Sequence, residues 1–147
     1  KESPNGYKFE YREHEGKGHA IDDAANPKWM GEHTRNPYPE RFVWTHVEVP
    51  GWDNSRFYYI AVDSPSGASI DLERKEGTFK ILKRSRGKRF TIYLNDEMTD
   101  LNRPILVEED GEVLFKGAVT RKLVTMVETF AERFDHRSTF SASVEIR

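Results

Sequence analysis

Residues 105–115 read Ile-Leu-Val-Glu-Glu-Asp-Gly-Glu-Val-Leu-Phe. Two short apolar runs, Ile105 to Val107 and Val113 to Phe115, flank Asp110-Gly111, a dipeptide suited to a tight hairpin because Gly and Asp tolerate positive φ. The same pattern of short strands and turn residues extends in both directions. Upstream, Phe42 to Val49, Phe57 to Val62, Ser69 to Leu72, Phe79 to Lys83 and Phe90 to Leu94 are strand-like, rich in aromatic and β-branched residues. They are separated by Pro50-Gly51-Trp52-Asp53-Asn54, Glu76-Gly77 and Arg86-Gly87, and the first two are expected to pair as a hairpin. Downstream, Leu123, Val127, Phe130 and Phe134 recur at three- and four-residue steps, which predicts one long helix. Thr120 is its expected N-cap, with Val119 and Val124 as a hydrophobic staple. Phe140, Ala142, Val144 and Ile146 alternate as a last strand. The expected fold is mainly β (α+β): a β-sandwich-like domain of seven to eight short strands, with the helix packed at an edge or end.

A chain of 147 residues suffices for one main core, and nine Phe, six Tyr and three Trp supply its bulk. Basic and acidic residues nearly balance, 23 against 25, so no field over the whole molecule draws it to nucleic acid or to an anionic membrane. No apolar run approaches the roughly 18–20 residues of a membrane helix. Cysteine is absent, which excludes disulfides, thiolate metal sites and a cysteine nucleophile.

The first residues follow a different pattern. Tyr7, Phe9 and Tyr11 alternate with Lys8, Glu10 and Arg12 as in a half-buried strand; Gly16 and Gly18 then bracket a turn ending at His19. Asn26-Pro27 opens a short helix through Trp29, Met30 and His33, and Pro37 and Pro39 mark a boundary. Two parts are therefore expected, residues 1–36 and 37–147. The segment from Tyr7 to His19, a strand running into a glycine-flanked loop with one histidine, resembles the end of the catalytic domain in peptidase- and esterase-like α/β-hydrolases. His33 to Trp44, Leu101 to Val107 and Val113 to Gly117 resemble a C-terminal extension carried by some bacterial members of that group.

The resemblance implies that residues 1–36 are the last strand, histidine loop and short helix of a serine hydrolase whose triad runs Ser, acid, His along the chain. His19 would be its catalytic base, active only in the full-length enzyme, with residues 37–147 a non-catalytic accessory domain that is structural or gates substrate. The upstream catalytic domain of the same polypeptide is then the expected partner, along with homo-oligomer contacts through the bared remnant. A start at Lys1 without methionine fits a segment of something longer. A periplasmic or secreted bacterial setting follows from the resemblance alone.

No Gly-x-Ser-x-Gly elbow occurs, and Asp22 and Asp23 follow His19 where the family places its acid before the base, so the chain alone is expected to be inactive. The histidines at 14, 19, 33, 46 and 136 form no His-x-His or His-x-x-x-His pair, and neither metal nor cofactor is expected. Glu108, Glu109, Asp110 and Glu112 read as a charged hairpin tip. The basic run Lys80, Lys83, Arg84, Arg86, Lys88 and Arg89 reads as a solvated hairpin more than a nucleic-acid surface. The alternative reading is a carbohydrate-binding module using Trp52, Trp44 and Tyr58, since flat rings on a β-sandwich stack against sugars.

Overall fold

The computed structural model describes residues 9–18, 23–51 and 55–147. It divides into two compact units, Lys1–Asn36 and Pro37–Arg147. In the first, α1 (Asn26–Gly31) begins one residue earlier than its proline suggests, with Ala25 at the N-cap. His33 donates from Nδ1 to the Trp29 carbonyl at 2.7 Å, and the two rings lie 4.5 Å apart. Tyr7 lies outside the described residues. The described part of the expected first strand, Phe9 to Arg12, belongs to no sheet, because no described strand runs beside it to complete a ladder. Phe9, Tyr11 and Met30 are exposed.

Residues from Pro37 onward are mainly β, with nine described strands in two sheets. The larger sheet orders β1 (Arg41–Thr45), β4 (Ser69–Lys75), β5 (Thr78–Arg84), β7 (Ile105–Glu109) and β8 (Glu112–Gly117) as β1-β4-β5-β7-β8. The smaller orders β2 (Arg56–Phe57), β3 (Ile60–Val62), β6 (Phe90–Leu94) and β9 (Ala142–Ile146) as β2-β3-β6-β9. All neighbours are antiparallel except β5 and β7. Asp110 and Gly111 both take positive φ, 50° and 83°, and join β7 to β8 as the dipeptide requires.

Period-two alternation turns Phe42, Trp44, Ile70, Leu72, Phe79, Ile81, Ile105 and Val107 inward from one sheet. Ile60, Val62, Phe90, Ile92, Leu94, Ala142, Val144 and Ile146 meet them from the other. Outward positions of the larger sheet carry paired charges: Arg41 lies 3.3 Å from Asp71 and 3.1 Å from Glu73. Arg84 lies 3.0 Å from Glu109. Tyr59 donates to the Pro39 carbonyl and Arg74 to those of Tyr38 and Met98, which ties the start of this unit to its core.

Two expectations are corrected here. The run Phe57 to Val62 is two strands reversing at Tyr58, whose φ is 51°, so β2 pairs with β3, and β1 pairs with the distant β4. The long helix, α2 (Leu123–Arg133), has Lys122 and not Thr120 at its N-cap, and no side chain caps it. Val124 is exposed, leaving no staple with Val119.

Candidate functional site

The orientation of α2 decides what this unit presents to its surroundings. Alternation along β2 turns Arg56 to the outer side of the smaller sheet, yet its side chain is almost fully buried. It donates to the Glu132 carboxylate at 2.9 Å, to the Ser138 carbonyl at 3.2 Å and to the Thr129 carbonyl at 3.4 Å. The guanidinium also lies 5.8 Å from the Tyr93 ring centre and 5.5 Å from that of Phe140, within cation–π range. Burial draws its pKa down from the ordinary arginine value, and Glu132 opposes that shift. Thr129 Oγ1 donates to the Thr125 carbonyl at 2.7 Å and accepts from the Phe140 N–H at 3.0 Å. The helix is therefore clamped to the outside of the smaller sheet by a polar face, Thr125, Thr129 and Glu132.

Its apolar stripe consequently points the other way. At 100° per residue Leu123, Val127 and Phe134 lie opposite Thr125 and Thr129, with Met126, Phe130 and Val124 to either side. All six are exposed, Leu123 at 75% and Phe134 at 79%. Phe134 closes the helix in the left-handed region, φ 51°, with its ring edge-on to Phe130 at 5.8 Å.

Beside the first turn of α2 a groove of about 610 Å³ opens between that helix, the Asn95–Glu97 turn and residues 136–141. Its apolar wall is Leu123, Met126, Phe130 and Phe140. At the rim Arg121 grips Asp96 through two bonds, Nε to Oδ2 at 2.8 Å and Nη2 to Oδ1, which holds the Asp96 carboxyl below its ordinary range. Glu97 accepts from the Tyr38 hydroxyl at 3.2 Å, and that hydroxyl accepts from Asn95 Nδ2 at 2.8 Å. Burial raises the Tyr38 phenol above its usual pKa, so it remains a neutral donor. Both rim carboxylates are thus engaged. Ser141 also lines the groove; it is 9% exposed, and its buried Oγ has no hydrogen-bond partner among the described residues.

The residues singled out from sequence are not gathered here. His19 and Trp52 lie outside the described residues. Trp44, a candidate sugar platform, is 7% exposed, its ring stacked on Phe57 at 5.9 Å, because it occupies an inward position of β1. Tyr58 is half-buried within 4.5 Å of Phe57 and 5.5 Å of Phe42, ring centre to ring centre. In the basic run Arg84 is held by Glu109 and Arg89 lies 3.6 Å from Asp63. Lys80 sits in register with Glu108 of the acidic hairpin. Among the described residues no group of three or more side chains is arranged to hold a metal ion. The outward stripe and Ser141 were missed: the period of α2 reveals that it has an apolar face but not which way the face turns, and Ser141 meets α2 only through tertiary packing. Comparison with protein-family models, curated proteins and solved structures finds no match.

Proposed function

We propose that residues 37–147 act by docking, as a non-catalytic accessory domain of an α/β-type serine hydrolase, set against the catalytic body by the outward face of α2. The observation that carries this reading is the helix whose polar side is clamped inward by Arg56 while Leu123, Val127 and Phe134 stand in solvent. Contiguous exposed apolar surface is costly unless covered by a partner. Phe134 adds to the argument. A bulky residue in the left-handed region costs about 1 kcal/mol relative to glycine, and a ring 79% exposed gains the domain little packing in return. The identity of the partner rests on the resemblance of Tyr7 to His19 to a hydrolase histidine loop.

In the longer protein that this reading requires, Val127→Asp with Phe134→Asp should lower turnover severalfold and bring thermal inactivation to lower temperature. His19→Ala should lower turnover by roughly 10³-fold without changing folding. Unchanged kinetics and inactivation in the double variant would overturn the docking role. Full activity without the His19 imidazole would overturn the hydrolase assignment. Glycan binding lost on Trp52→Ala would favour the carbohydrate reading instead, although the burial of Trp44 removes one ring from any sugar-stacking row.

A further inference from the structure

No side chain of α2 takes part in the hydrophobic core: of its eleven residues only Thr125 and Thr129 are buried, and the core is made by the two sheets and the loops beside them. Most helices in proteins are stabilised by burying an apolar face, and one shorter than about 12–15 residues is marginal in water without that help. Polar contacts hold α2 instead. Arg56 donates to the Glu132 carboxylate and to the Thr129 carbonyl, and Arg133 donates to the Arg56 carbonyl at 2.6 Å. Thr129 Oγ1 accepts from the Phe140 N–H, and the Lys122 N–H donates to the Ser141 carbonyl at 2.6 Å. Lifting the helix exchanges each of these bonds for one to water, so the net loss per bond is small.

Both ends of the helix favour release. The first turn has no side-chain cap, and Lys122 before it is extended at φ −126°. Phe134 closes the last turn in the left-handed region at φ 51°, a strain on a bulky residue that opening relieves, and Asp135 is extended again at φ −124°. The sheets are secured differently, by backbone ladders and by fully buried rings such as Phe42, Phe79 and Phe90. We infer that α2 is a strap that opens as a unit, turning about residues 118–122 and 134–135, while both sheets stay folded. Opening frees the Arg56 guanidinium and lets the outward face of α2 reseat without unfolding the sandwich. The inference stands on residues 37–147 alone and is independent of the hydrolase reading.

Native-state hydrogen exchange of the 147-residue chain, followed over a series of low urea concentrations, tests this. Amides of residues 127–133 are expected to be at least about tenfold less protected than those in the middle of β4 and β5. Their dependence on urea should also be shallower, because opening one helix exposes less surface than global unfolding. Arg56→Ala should speed exchange in α2 by about 100-fold, or to the rate of an unprotected chain. Phe42→Leu should lower the protection of β4 and β5 about tenfold and leave α2 unchanged, since Phe42 packs on Phe57, Tyr58 and Tyr59 and stays packed when the helix is open. Equal protection and a common urea dependence in α2 and the strands would overturn the proposal. So would an equal loss in both from Phe42→Leu, or undiminished protection of α2 in Arg56→Ala.

Discussion

Arg56→Ala is expected to lower the stability of residues 37–147 by about 3 kcal/mol, a fall of roughly 10–15 °C in melting temperature. The guanidinium contacts both the helix and the segment that leads into β9, through Thr129, Glu132 and Ser138. Alanine would leave the Thr129 and Ser138 carbonyls without these donors and open space beside the stacked Tyr93 and Phe140 rings. Glu132, 45% exposed at its side chain, can turn to water, so Glu132→Gln should cost less than about 1 kcal/mol. Arg56→Lys should fall between the two, since one ammonium cannot replace a fork with several acceptors. Urea unfolding measures all three. A loss under 1 kcal/mol in Arg56→Ala would mean that α2 is held by something other than this clamp.

Phe42→Ala should be at least as severe, costing about 3–5 kcal/mol. Phe42 is fully buried in β1, and its ring centre lies 5.6, 5.5 and 5.3 Å from those of Phe57, Tyr58 and Tyr59. It therefore joins the larger sheet to the β2–β3 hairpin of the smaller one, and its loss leaves a cavity that neither sheet can close. Should the alanine variant fail to fold, Phe42→Leu gives a measurable version, with an expected loss of about 1–2 kcal/mol. Phe134→Ala, which removes an equal ring from an exposed position, should cost almost nothing, and equal losses at the two positions would contradict the assigned core.

The contrast between these phenylalanines marks where sequence reading stops. Local signals were legible: Asp110-Gly111 fixed its hairpin through backbone chemistry, and Phe90 to Leu94 and Ala142 to Ile146 displayed their inward faces by alternation. Partner choice was not, because alternation says which side of β1 is buried but nothing about β4 as its neighbour, a pairing set by long-range closure. The direction in which the helix turns its stripe was not legible for a related reason. A 3.6-residue period marks an apolar stripe, and the usual inference that the stripe faces the domain's own core fails when buried threonines and an arginine satisfy the opposite side. The groove left less trace still, since Ser141, Lys122 and Asn95 are distant in sequence and meet only once β6, β9 and α2 are assembled.

The account depends most on α2 turning its apolar stripe away from residues 37–147, and urea unfolding of the 147-residue chain carrying Val127→Asp and Phe134→Asp tests that most directly. Aspartate at two solvent-facing positions should leave the unfolding free energy within about 1 kcal/mol of the parent, with the same dependence on urea. A loss of several kcal/mol would contradict it, because only a stripe buried in the chain's own core would be so disturbed.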